Sequence, residues 1–239
     1  MMGITNLFLH PRGSWKKRVN FLGKKWFLWA TVLISLVGYT VPTQAQKNPG
    51  QRQITYDVWR NGKIIGSYVL AFNPQGKQLR VTVDWNIKIN GIIFTLYRSE
   101  HHSEEIWEGK QLISLISASN DNGKRRQFSW RQNNKTAEII FDDHTITTTL
   151  ELFPTSLWQP DTIQQTVLLD TVKGRLRQVN IEYQGTESIV IEGHSLPTKH
   201  YLISGEMTRH VWYGMDQDIV QVSFPASDGS MIIIRKRLP

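Results

Sequence analysis

Apolar and polar side chains alternate through most of this chain. The clearest run is Leu79–Ile89, where Leu79, Val81, Val83, Trp85, Ile87 and Ile89 alternate with Arg80, Thr82, Asp84, Asn86 and Lys88. Period two places the first set on one face of a strand, whereas a helix would scatter it around its circumference. At about 3.3 Å per residue the strand extends roughly 30 Å or more. A strand of that length with one apolar face suits a strongly curved sheet wrapped around a core or cavity. Turn signals divide the alternating runs. Asn61-Gly62 separates Ile54–Trp59 from Lys63–Phe72, Asn90-Gly91 follows the long strand, and Asp228-Gly229 separates Ile219–Phe224 from Ser230–Arg237. Asn-Gly and Asp-Gly supply the positive-φ residues that tight hairpins need.

One stretch breaks the alternation. Phe153–Gln165 carries Pro154 and Pro160 on either side of Trp158, and reads as a turn and a short helix. Asp161 followed three residues later by Gln164 resembles an N-cap and capping-box pair. Such a helix can plug one mouth of a curved sheet, with Leu157 and Trp158 pointing inward. No solenoid or propeller period emerges. The expected fold is mainly β: one curved, partly open, antiparallel β-barrel-like sheet of about eleven strands with one short helix, preceded by an N-terminal signal helix. The domain plan is a signal peptide over 1–45, a linker over 46–52 and a single β domain over 53–239.

The leader changes how the charge is read. Residues 1–45 hold six of the 28 basic side chains and none of the 20 acidic ones, so 28 less 6 leaves 22 basic against 20 acidic in the rest. Most of the formal +8 therefore belongs to the leader, leaving a net +2, and no nucleic-acid partner is expected. A basic segment ending at Lys24-Lys25, an uncharged apolar run from Trp26 to Val41, and Thr43-Gln44-Ala45 with small residues at the recognition positions form a secretory signal pattern. The apolar run falls short of the ~20 residues that span a bilayer. Cleavage near Ala45 and a periplasmic protein, not integral to the membrane after cleavage, are expected. The absence of cysteine excludes disulfides, thiol catalysis, Cys-ligated metals and a lipid anchor on Cys.

Candidate chemistry is sparse. His101-His102-Ser103-Glu104-Glu105 is the densest set of metal-capable side chains, but alternation gives each strand face one His and one Glu. A solvated strand or loop is the plainer reading, and no metal or cofactor is expected. Asn120–Arg126 reads as a turn with a basic tip. Ser156 lacks the Gly-x-Ser-x-Gly setting of a nucleophile. Val83, Trp85 and Ile87, on the apolar face of the long strand, with Trp130, Trp158 and Trp212, form the candidate ligand-binding set. Aromatics of this kind line apolar pockets, although buried tryptophan is commonly just core.

Three motifs carry a family resemblance. Tyr56–Gly66 resembles the opening of an uncharacterised family of exported bacterial proteins, a domain of unknown function. Pro154–Trp158 is similar to its middle motif, and Trp212-Tyr213 with Phe224–Ser230 to its end. The resemblance spans nearly all of the chain after the leader, and implies export without supplying an activity. The layout is more distantly similar to the periplasmic lipoprotein carriers, whose half-open antiparallel barrel is closed by helices over an apolar cavity. This chain departs from them in having little helix.

The resulting expectation is a non-enzymatic binding or envelope-maintenance protein that holds an apolar or lipid-linked ligand, a lipid or lipid-linked glycan, in a curved sheet. A hydrolase of an envelope polymer using carboxylates such as Asp57, Asp84 or Glu182, and a structural component with an envelope protein partner, stand as alternatives.

Overall fold

The computed structural model describes residues 50–90, 95–133, 136–148 and 151–239. The leader, the start of the linker and the Gly91–Phe94 part of the second hairpin lie outside the described residues. Eight strands form one arm of a single sheet: β1 (Arg52–Arg60), β2 (Lys63–Gln75), β3 (Gln78–Asn90), β4 (Thr95–Glu108), β5 (Gln111–Asp121), β6 (Lys124–Asn133), β7 (Thr136–Ile140) and β8 (Thr145–Thr148). Seven form the other: β9 (Phe153–Pro154), β10 (Val167–Asp170), β11 (Arg175–Ile191), β12 (His194–Gly205), β13 (Arg209–Gly214), β14 (Ile219–Pro225) and β15 (Met231–Lys236).

The order β8-β7-β6-β5-β4-β3-β2-β1-β15-β14-β13-β12-β11-β10-β9 makes each arm a meander, and the arms join where β1 pairs antiparallel with β15. The outer ends of the arms, β8 and β9, are four residues apart in sequence. At 3.3–3.6 Å per residue that link holds them within roughly 20 Å. A fifteen-stranded sheet meets that limit by curling on itself, which also shields strand edges that would otherwise template aggregation.

The fold class agrees with the sequence reading, while the strand count rises from about eleven to fifteen. One addition is β9, the two residues Phe153–Pro154, too brief to show period two and set in the stretch that reads as a turn. The first hairpin turns through Asn61 and Gly62, both at positive φ (49° and 74°), as Asn-Gly requires. Gly66 has a different role: a Cβ there would sit 2.0 Å from the carbonyl oxygen of Asn86, so β2 packs against β3 only without a side chain at this point.

Inside the curl the core is continuous. Val81, Val83 and Ile87 are buried beneath β3, while Asp84, Asn86 and Lys88 face out. On β1 and β2 the inward set is Ile54, Tyr56, Val58, Tyr68, Leu70 and Phe72. The second arm contributes Val211, Tyr213, Val222, Ile232 and Ile234.

The interrupting stretch sits within this curl. Its helix is a single 3-10 element, Pro160–Gln164, with Gln159 at the N-cap making no side-chain cap bond. The expected Asp161 cap does not form, because Pro160 starts the helix one residue earlier and Asp161 pairs with Lys110 at 2.7 Å. Pro suits that first position, where the N–H has no partner in any case.

Candidate functional site

The site is assembled from β3, β4, the turn after β10, the Thr155–Leu157 segment, β13 and β14. The inward face of β4 is set by its register: His101 pairs with Trp85, Ser103 with Val83 and Glu105 with Val81. His101, Ser103 and Glu105 are 7%, 0% and 0% exposed. This corrects the reading of 101–105 as a solvated segment. The sequence pattern gives one face to His101, Ser103 and Glu105 but does not say which face is buried, and the apolar partner strand β3 decides it.

Glu105 anchors the plug. Its Oε2 accepts the indole N–H of Trp158 at 2.7 Å and that of Trp107 at 2.9 Å, while Oε1 has no hydrogen-bond partner. Burial pushes its carboxyl pKa above the ordinary range, with the donors opposing. Two phenols hold the adjoining backbone: Tyr68 donates to the Ser156 carbonyl at 3.0 Å and Tyr213 to the Leu157 carbonyl at 2.6 Å. Leu157 is 2% exposed and sits at φ +61°, a left-handed conformation uncommon for a non-glycine residue. These bonds reach β2 and β13, one in each arm. Ser117 and Ser119 on β5 donate to the carbonyls of Thr171 and Val172 at 2.5 and 3.0 Å, which also joins the arms.

Beside this segment lies a cavity of about 200 Å³. Its apolar wall is Val83, Trp85, Leu157, Val222, Phe224 and Ile234, and its polar groups are His101, Tyr97, Asp121, Ser99, Thr155 and Arg209. Tyr97 donates to Asp121 Oδ1 at 2.7 Å, so those two satisfy each other. His101 does not share in such a pair, since neither ring nitrogen has a hydrogen-bond partner. Burial, helped by the neighbouring His102, lowers its pKa to about 4, so the ring is neutral at pH 7. The Arg209 guanidinium lies 4.5 Å from the Phe224 ring centroid and is half-buried. It forms no ion pair or hydrogen bond among the described residues, which is unusual for a group with five donors.

A larger, more open concavity of about 720 Å³ is lined by residues of β3–β6 and by Asp142, and its charged side chains include Asp84, His102 and Arg125. His102 Nδ1 is 2.7 Å from Asp84 Oδ1, and Gln127 bonds Asp142. Charged and open to solvent, this groove is a weaker candidate for an apolar ligand than the smaller interior cavity.

The structure brings Val83 and Trp85 of the expected binding set to the cavity. Ile87 is buried in the core, and Trp130 is 1% exposed and opposite Leu115 and Ile139. Trp158 belongs to the Glu105 anchor, edge-on to Phe72 and Trp107 at 5.4 and 5.2 Å. Trp212 lies elsewhere, stacked on His200 at 4.3 Å and donating to Glu187 at 2.6 Å. The three carboxylates considered for hydrolysis have separate partners: Asp57 with Arg237, Asp84 with His102, and Glu182 with Asn180. No group of three or more metal-capable side chains is found among the described residues.

Sequence reasoning missed Arg209, Phe224 and the inward placement of His101. The signal for Arg209 was alternation with the buried Val211 and Tyr213, which assigns a cation to the inner face.

The family pattern described as a domain of unknown function matches residues 56–237, which includes both walls of the cavity. The chain belongs to the DUF6134 family. The resemblance read from the Tyr56–Gly66 opening is thus to an uncharacterised family. A β-barrel-like protein of the domain of unknown function DUF1849 from Brucella abortus is similar in structure, with a TM-score of 0.57 and 8% identity over 79% of this chain and 98% of that one. At that identity the likeness shows the fold, a β-barrel-like sheet, and nothing of function. No curated protein matches the chain.

Proposed function

We propose that this domain is a non-enzymatic binding protein that holds the apolar part of a small ligand in the cavity between β3, β14 and the Thr155–Leu157 segment. The observation that carries this reading is the cavity wall. Val83, Trp85, Val222, Phe224 and Ile234 line a partly open cavity, beside a buried imidazole whose ring nitrogens have no hydrogen-bond partner and a guanidinium that meets only the Phe224 ring. Ligand sites combine an apolar lining with a few convergent polar groups. At about 200 Å³ the space lies below the usual 300–1,000 Å³, so it takes one chain or ring rather than a whole lipid. The leader, with Lys24-Lys25, the apolar run to Val41 and Thr43-x-Ala45, supports export and cleavage, which makes the periplasm the proposed place of action and an envelope lipid or lipid-linked compound the proposed source of the ligand.

Mass spectrometry of organic extracts tests this, using protein purified from its native envelope without detergent. The expected result is a stoichiometric apolar compound that is lost in Val83→Phe, a variant that fills the cavity while β3 stays folded. Wild-type extracts with no bound compound, together with no uptake of added single-chain amphiphiles, would overturn the reading.

A further inference from the structure

Along β13 the inward side chains are Arg209, Val211 and Tyr213. Tyr213 marks the plug end, since its phenol bonds the Leu157 carbonyl. Arg209 lies four residues away, roughly 13 Å at strand spacing. The apolar wall and the plug therefore close one end of the cavity, and a cation stands toward the other.

That cation is held in place without being neutralised. Phe224, its cross-strand neighbour, holds its ring 4.5 Å from the guanidinium carbon, a contact that steadies the group without using its N–H donors. The carboxylate that reaches it electrostatically, Asp170, is already engaged. Asp170 Oδ2 accepts Arg177 Nε at 3.0 Å and Nη2 at 2.6 Å, and Oδ1 accepts the backbone N–H groups of Val172 and Lys173. Asp121, the carboxylate in the cavity lining, sits on β5 and accepts the Tyr97 phenol. His101, 93% buried and lining the same space, adds an imidazole with both nitrogens unpartnered. A buried polar group without a partner costs about 1–3 kcal/mol, a cost that a ligand atom at this point removes.

We propose that the ligand is a single-chain amphiphile with an anionic head, a carboxylate or a phosphate, whose oxygens take the Arg209 N–H edge while its chain lies against Val83, Trp85 and Val222. This rests on the reading of the cavity as an apolar-ligand site. Guanidinium pairs both head groups bidentately, so the shared chemistry is the anionic oxygen pair. The volume sets the chain: at about 30 Å³ per non-hydrogen atom, about seven carbons fit.

Calorimetric titration of the purified protein with octanoate, octyl phosphate and octanol separates the head from the chain. Octanoate and octyl phosphate are expected to bind at least tenfold more tightly than octanol. In Arg209→Gln that advantage is expected to vanish while octanol binding stays unchanged, which also shows that the variant folds. Preference for one anion over the other identifies the head group. Equal binding of octanol and both anions, or an equal loss of all three in Arg209→Gln, overturns the role of Arg209 and leaves the cavity reading standing. If none of the three binds, the cavity reading falls and this proposal with it.

Discussion

His101 and Glu105 share one face of β4, and burial moves their pKa values in opposite directions. For His101 the folded pKa of about 4 lies below its ordinary 6.5, so the unfolded chain binds the proton more readily. Its contribution is complete above pH 6.5 and is lost as pH falls toward 4. A shift of that size corresponds to about 3 kcal/mol. Urea unfolding of the ligand-free protein is expected to show this acid loss, and His101→Leu is expected to flatten it. Glu105 behaves the other way. Its raised pKa means that the folded state binds the proton more tightly than the unfolded chain does, so its contribution to stability falls as pH rises above the ordinary carboxylate value. Glu105→Gln keeps an oxygen for the two indoles and removes a buried charge. It is expected to unfold at higher urea than wild type at pH 7, with the difference shrinking on acidification. A lower midpoint for the variant at pH 7 would show that the carboxylate is held charged by its donors.

At the scale of elements, the Phe153–Gln165 segment ties the arms together more than it lines a site. Trp158 meets Glu105, Phe72 and Trp107 at once. Trp158→Ala removes that packing and an indole hydrogen bond to a carboxylate, and for a tryptophan partly buried against the core the cost is at the lower end of about 3–5 kcal/mol. Trp158→Phe keeps most of the ring contact and is expected to cost less, about 1–2 kcal/mol for the missing N–H. Chemical denaturation of the two variants measures the split. A Trp158→Phe variant as stable as wild type would mean that the Trp158–Glu105 bond contributes nothing, and equal losses in the two variants would mean that it carries the whole effect. This structural duty explains why Trp158, singled out in sequence for its place beside the plug, is better tested by stability than by ligand retention.

For the whole molecule, the determining contact is β1 with β15, whose register pairs Tyr56 with Lys236 and Arg60 with Ile232. It joins two meanders made of local hairpins into one sheet, and Arg60–Asp228 and Arg237–Asp57 ion pairs flank it. Such pairs at the surface contribute little. Closing the strand edges in the middle of the sheet matters more. Deletion of residues 231–239 exposes β1 and β14 as neighbouring open edges, and is expected to abolish cooperative unfolding by circular dichroism and to promote aggregation. A truncated protein that still melts cooperatively would show that each arm folds alone. The pairing of residues nearly 180 apart also predicts slow refolding, in the range of milliseconds to seconds or longer.

The sequence alone determined the β character of this protein, because side-chain alternation and turn chemistry are local. Val83 and Trp85 were legible as inward residues from period two, as was the Asn61-Gly62 hairpin from its positive-φ residues. The interruption at Phe153–Gln165 was legible from its prolines, although its cap was not, since the Lys110 that claims Asp161 is distant in sequence. Only the tertiary structure decided which face of β4 is buried and which short segments pair as strands. It also decided that Arg209 stands over Phe224 without a carboxylate partner. A strand's pattern names two faces but not which one meets a neighbour, and the charge balance of a cavity depends on side chains that the chain brings together from 101, 121 and 209.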